Sequence, residues 1–248
     1  MKILLITPTS VEYKMCKKAL AVKTESRSYG CKTGTAACGQ DSILVVKTGP
    51  GKTRTAVSTT ALIGSFAPDI LLDTGSCGGI SPGIQIGELI IGDACVEYDL
   101  YENGFPQKSA GEIQLQSALA LFNKKVKRTL LENAVAIAQN NGYGVRVGTQ
   151  ACGEYIIKSE RMKQALYDKY GVSGCNWETA AVFISALRCS LPAFSLRVVS
   201  DLADSHVLKD FFKNIRPCTY RLYGYIGLLC EAGWFTRFYE QWLRLKKR

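Results

Sequence analysis

The chain has 248 residues, enough for one α/β domain with a full apolar core. Its 47% hydrophobic and 21% charged residues are ordinary for a water-soluble globular protein, and Arg188 and Arg197 break up 187–199 before it reaches membrane-spanning length. A net charge of +10 permits attraction to anionic partners, but no helix-turn-helix, zinc-finger or RNA-binding sheet motif is present, which argues against a nucleic-acid reader.

Lys2–Thr7 is an apolar, β-rich run stopped by Pro8. It reads as a first buried strand rather than a signal peptide, which implies a cytoplasmic protein. A helix is predicted over 10–21, with Ser10 at its N-cap, Val11, Met15, Ala19 and Leu20 as its buried stripe, and Glu12 in its first turn. A second strand over 42–47 ends at Thr48-Gly49-Pro50-Gly51-Lys52, and a helix over 53–65 follows. A third strand over 69–74 runs into the glycine-rich turn Gly75-Ser76-Cys77-Gly78-Gly79. Then come a bent strand over 87–99, a polar loop over 101–112, a helix over 117–141, a strand over 144–150 and a helix over 158–170. Glu178 opens an Ala-rich helix that leads into a strand over 193–200. The aromatic and basic stretch 224–248 reads as a terminal helix packed on the domain, with contact to a membrane surface or a partner as the alternative.

Strands alternating with helices predict an α/β fold: a three-layer αβα sandwich around a twisted, mixed, largely parallel central sheet. One domain spans 1–248, with 205–248 set apart as a C-terminal extension. Ligands of such sheets gather where the carboxyl ends of strands meet loops and helix starts. Turns after Ile6, Lys47, Thr74 and Ser200 occupy that kind of position and would together form a pocket.

The ten cysteines contain no C-x-x-C pair, and a single histidine, His206, cannot complete a usual zinc set, so neither a metal nor a cofactor is expected. Free thiols filling core positions in a reducing compartment are the expectation. Gly49-Pro50-Gly51-Lys52-Thr53 is not a P-loop, because that motif requires glycine where Val46 stands. A turn that approaches a small ligand is the reading that remains. Glu12, Glu178 and Asp201 could each be surface acids, but Ala180-Ala181 argues for close helix packing beside Glu178.

Taken in order, several motifs resemble the nucleoside phosphorylase/nucleosidase superfamily across about residues 1–210. They are the first strand with Glu12, Gly49-Pro50-Gly51-Lys52, Thr74-Gly75-Ser76-Cys77-Gly78-Gly79, Ile86-Gly87-Glu88-Leu89-Ile90-Ile91-Gly92-Asp93, Trp177-Glu178-Thr179-Ala180-Ala181 and Val199-Ser200-Asp201-Leu202-Ala203-Asp204. Within it they are most similar to methylthioadenosine/S-adenosylhomocysteine nucleosidases and futalosine-type hydrolases. The resemblance implies that Asp201 protonates the purine at N7, with Ser200 orienting it. It implies that Glu178 holds the ribose hydroxyls beside Trp177, and that Glu12 activates water against the anomeric carbon. Ser76 borders the water and ribose, Tyr155 stacks on the base, and Ile156 meets the purine edge. It also implies a homodimer in which 101–106 closes the partner's pocket.

Phosphorolytic relatives hold phosphate with arginines, one of them in the loop after the first strand. Here that loop, Thr7-Pro8-Thr9-Ser10-Val11-Glu12-Tyr13, supplies a carboxylate and no arginine, which favours hydrolysis. Arg54 and Arg197 are the nearby cations, and Arg197 matches a structural arginine of the nucleosidases. Thr9, Pro50 and Trp177 depart from the methylthioadenosine enzymes. The polar opening at Thr7-Pro8-Thr9 points to 6-amino-6-deoxyfutalosine or futalosine, intermediates of menaquinone synthesis, with methylthioadenosine and S-adenosylhomocysteine as shared substrates. A purine nucleoside phosphorylase and a non-catalytic nucleoside-binding module remain the alternatives.

Overall fold

Ile3, Leu4, Leu5 and Ile6 are all completely buried, so β1 (Lys2–Thr7) is covered on both faces and lies inside the sheet. The computed structural model describes residues 1–39, 41–102 and 114–247. After β1 come α1 (Ser10–Ala19), β2 (Thr24–Ser28), β3 (Cys31–Cys38), β4 (Asp41–Lys47), α2 (Lys52–Phe66), β5 (Ile70–Gly79) and β6 (Leu89–Glu97). They are followed by α3 (Tyr98–Glu102), β7 (Gln114–Gln116), α4 (Ala118–Leu121), α5 (Lys124–Asn140), β8 (Val145–Cys152) and α6 (Glu160–Tyr170). The chain ends with β9 (Gly174–Asn176), α7 (Thr179–Arg188), β10 (Ala193–Asp201), α8 (Val207–Glu231) and α9 (Trp234–Lys246).

The sheet is mixed. β1 pairs in parallel with β4 and β5, and β5 with β10, so the carboxyl ends of these four strands share one edge. The β2–β3 hairpin extends it antiparallel beyond β4. On the other side β10 pairs antiparallel with β6, β6 and β9 flank β8 in parallel, and β9 returns antiparallel to Gly78 and Gly79 of β5. That half of the sheet therefore closes into a ring, which strand–helix alternation alone does not reveal.

Side chains of β1 alternate between two cores, as the two-residue period of a strand requires. Ile3 and Leu5 meet residues of α1, α5, α8 and α9, whereas Leu4 and Ile6 meet Leu62 of α2 and Val182 and Phe183 of α7. The residues after 204 belong to the first core: Leu222, Tyr223, Ile226 and Leu229 of α8 and Trp234 and Phe238 of α9 are completely buried.

The structure corrects several sequence expectations. Thr74–Gly79 is not a turn but the second half of β5, because pairing with β10 and β9 outweighs the poor strand preference of glycine. The helix expected over 117–141 breaks at Phe122, and the Asn123 side chain caps α5 by accepting the Val126 N–H at 3.0 Å. Polar and Thr-rich β2 and β3 carry too weak an alternation to have been read as strands. Cys38 and Cys230, 192 positions apart, form a disulfide, while the other eight cysteines are thiols as expected. The polar loop and the proposed 101–106 crossover fall largely on 103–113, outside the described residues. Among the described residues no helix is long and apolar enough to cross a membrane.

The disulfide ties the end of β3 to the end of α8 and closes most of the chain into one loop. Replacing Cys38 by Ser should lower the unfolding free energy by about 2–4 kcal/mol in denaturant titrations, and reductant should bring the wild type down to the variant.

Candidate active site

Four parallel strands deliver their following residues to one edge. After β1, Thr9 and not the expected Ser10 caps α1: its Oγ1 accepts the Glu12 N–H at 3.2 Å, and Glu12 Oε2 accepts the Thr9 N–H at 2.8 Å. This capping box turns the Glu12 carboxylate back from the helix and toward β5. There Glu12 Oε1 accepts both the N–H and the hydroxyl of Ser76, each at 2.8 Å. Glu12 is 1% exposed, so it is not a solvated first-turn acid. The approach requires Gly75, whose φ is +140°: a Cβ there would stand 2.8 Å from Glu12 Oε1 and 3.0 Å from Arg197 Nη1.

Glu178 enters from the β9–α7 junction. Asn176 Oδ1 accepts the N–H groups of Glu178 and Thr179 at 3.0 and 2.9 Å, leaving the Glu178 side chain free of the capping task. Its Oε1 accepts the Gly51 N–H at 3.0 Å, and its Oε2 accepts from Arg197 Nη1 at 3.2 Å. Arg197 is completely buried and doubly bonded to Asp73, and Asp73 also accepts from the hydroxyls of Thr179 and Ser195 at 2.7 Å each. Burial opposes the charge on Arg197, but Asp73 and Glu178 outweigh it and hold its pKa above the usual value. Arg197 is shared with Asp73, so burial prevails at Glu178 and raises its pKa to about 7.

Asp201 is the last residue of β10. Its Oδ2 accepts from Ser200 Oγ at 2.8 Å and its Oδ1 from the Ala203 N–H at 3.1 Å. Burial raises its pKa to about 6, with these two hydrogen bonds pulling the other way. The carboxyl group therefore exchanges its proton close to neutrality.

Glu12, Glu178 and Asp201 line one cavity of about 320 Å³, together with Ser76, Tyr155, Ile156, Trp177 and Ser200. Every residue expected at the site thus reaches it. The Tyr155 ring stands edge-on to Tyr98 at 4.9 Å, and Tyr98 fixes the local backbone by donating its hydroxyl to the Tyr155 carbonyl at 2.7 Å. Sequence reasoning missed Asn176, whose signal was its position two residues before the acid. It also missed Phe211 and Phe212, which reach the cavity from the first turns of α8. His206 does not line this cavity, and its side chain is largely exposed beside Asp204. Lys52 pairs with Glu97 and Asp99 at 3.0 and 2.8 Å, so the Gly51-Lys52 turn offers its lysine to acids and not to a phosphate. Among the described residues the wall carries three carboxylates and no lysine or arginine.

Residues 2–217 match the family described as Phosphorylase superfamily. The 5′-methylthioadenosine/S-adenosylhomocysteine nucleosidase of Haemophilus influenzae (strain PittEE) is 28% identical over 212 residues, covering 85% of this chain and 90% of that one. Its counterpart in Staphylococcus aureus (strain MRSA252) is 25% identical over 170 residues, or 68% of this chain and 72% of that one. The futalosine hydrolase of Helicobacter pylori strain 26695 superposes with a TM-score of 0.79 at 21% identity, covering 93% of this chain and 98% of that one. The Neisseria meningitidis 5′-methylthioadenosine/S-adenosylhomocysteine nucleosidase in complex with methylthio-immucillin-A gives 0.80 at 18% identity, over 93% and 99%. These superpositions bear out the expected α/β architecture with a mixed central sheet.

Because Glu178 and Asp201 have raised pKa values, the folded chain keeps protons that the unfolded chain has already released. Their contribution to stability is therefore most favourable at low pH and declines as pH rises from about 4 to about 7. Urea midpoints should show that decline, and Asp201→Asn should flatten part of it; a variant that follows the wild-type curve would contradict the assignment.

Proposed function

The chain belongs to the phosphorylase superfamily, and we propose that it is a purine nucleosidase that hydrolyses the N-glycosidic bond of a nucleoside with a modified 5′ position. The carrying observation is the convergence of three buried carboxylates on one cavity, with the Asp201 pKa near 6. In the proposed reaction Asp201 gives its proton to purine N7 as the C1′–N9 bond breaks, so the base leaves neutral. Glu178 accepts hydrogen bonds from the ribose hydroxyls. A water molecule bonds to C1′ and loses a proton to Glu12, which the two Ser76 donors hold in place. Free base and free sugar leave, and solvent resets both acids. Ser200 orients Asp201, Tyr155 stacks on the base, Ile156 meets its edge and Trp177 borders the sugar.

The charge of the wall supports water over phosphate as nucleophile. The sugar becomes oxocarbenium-like as the bond breaks, so nearby carboxylates stabilise it, whereas they repel a phosphate dianion. Within this reading 6-amino-6-deoxyfutalosine and futalosine suit the Thr9 opening and the aromatic wall of Trp177, Phe211 and Phe212. Methylthioadenosine is the second reading, because its uncharged 5′ group needs no cation and none is among the described lining residues.

Release of base from 6-amino-6-deoxyfutalosine, futalosine and methylthioadenosine, with and without phosphate, tests the proposal. Turnover that requires phosphate, or no base release from any purine nucleoside, would refute it. Asp201→Asn should lower kcat by about 10²- to 10⁴-fold with little change in KM. In the wild type, kcat/KM should fall as pH rises above about 6, where free Asp201 loses its proton, and this limb should be missing from the residual activity of the variant.

A further inference from the structure

The edge of the sheet opposite the cavity has a different character. There α9 crosses the amino-terminal ends of the strands: Thr236 Oγ1 donates to Asp41 at the start of β4 (2.9 Å), and Lys246 Nζ donates to the Ser190 carbonyl just ahead of β10 (2.7 Å). Trp234 Nε1 donates to the Leu130 carbonyl at 2.9 Å, and the Phe238 ring meets Phe122 at 5.6 Å, so α9 runs antiparallel to α5. Arg244 and Leu245 consequently lie beside Asn123 and Val126, where α5 begins.

This arrangement gathers cations from three helices. Lys124 and Lys125 open α5, Arg244 and Lys247 close α9, and Arg188 closes α7. Lys127 and Arg128 have acidic partners in Asp93 and Glu132, whereas Lys124, Lys125 and Arg244 have none among the described residues. Two lysines with no acid in the first turn of α5 work against its helix dipole, so local helix stability does not account for them. Three leucines stand exposed near these cations along the chain: Leu121 (50%) at the end of α4, Leu187 (70%) in α7 and Leu243 (41%) in α9.

We propose that this face docks on an anionic lipid surface, with the cations at the headgroups and the leucines entering the interface. A nucleic acid is the less suitable occupant. A single strand would take open stacking rings, whereas Trp234, Phe235 and Phe238 of α9 are buried, and Tyr239 and Trp242 pack against the core, with Lys246 over the Trp242 ring. Docking in this orientation leaves the cavity mouth toward solvent. Leu243, Arg244 and Lys247 of this surface lie beyond the residues 2–217 that match the family, and its other named residues lie within them.

Co-sedimentation of the full chain with vesicles of equal parts phosphatidylcholine and phosphatidylglycerol tests this, against pure phosphatidylcholine. Binding is expected only to the mixed vesicles, and K124Q/K125Q/R244Q should weaken it about 100-fold, at roughly fivefold per cation. L121S/L243S should weaken it without changing the net charge. K14Q/K18Q/K213Q, which removes three exposed cations elsewhere, should retain binding. Thermal melts confirm that each variant is folded. Equal loss in both triple variants would show a diffuse effect of the +10 charge and overturn the proposal. So would the absence of vesicle binding, or α9-dependent binding to an RNA oligonucleotide in its place.

Discussion

A single buried guanidinium organises the cavity. Arg197 projects from β10, grips Asp73 of β5 through two hydrogen bonds, and extends its remaining nitrogen to Glu178 and the Ser76 carbonyl. One cation thereby joins two strands, a helix start and the backbone that carries Ser76. A buried ion pair of this kind is weak evidence of stability, but removing one partner leaves an uncompensated charge at a cost of about 3–5 kcal/mol. Its main consequence is positional. Glu178 can point into a cavity because Arg197 and Gly51 hold its two oxygens from behind.

That arrangement also sets the electrostatics. Asp73 consumes much of the positive charge of Arg197, so Glu178 is left buried with incomplete compensation and a pKa near 7. Asp201 lies outside this network, with Ser200 and the Ala203 N–H as its donors, and burial holds it near 6. Two acids with different partners thus occupy one cavity, and their different surroundings suit the proposed division between holding a sugar and giving a proton. Glu12 is the third case, saturated by Ser76 and Thr9 and kept in place by its own helix cap.

The parts of this site that were legible in the sequence are those whose meaning is carried by short contiguous motifs. Glu12 just after an apolar strand, Glu178 before Ala180-Ala181, and Asp201 at a strand end could each be located from neighbours along the chain. The parts that were not legible depend on partners far apart. The Asp73–Arg197 pairing, the Cys38–Cys230 cross-link and the walls from Phe211 and Phe212 exist only once helices and strands have packed. Thr74–Gly79 shows the opposite failure, since its glycines signal a turn locally while two neighbouring strands impose extended backbone. The ring formed by β5, β10, β6, β8 and β9 belongs to the same class, because β9 has three residues and no pattern of its own.

The distribution of charge completes the picture, and the net value of +10 conceals it. At the carboxyl edge of the sheet acids face the cavity, and the two cations nearest them are held in pairs: Arg197 with Asp73 and Glu178, Lys52 with Glu97 and Asp99. Lys124, Lys125 and Arg244, which have no acidic partner among the described residues, lie at the amino edge around α9. A cationic sugar transition state and an anionic surface would therefore be drawn to opposite ends of one molecule. Because exposed charges are screened over about 10 Å in ordinary salt, neither end disturbs the other, and a basic protein can keep an acidic site.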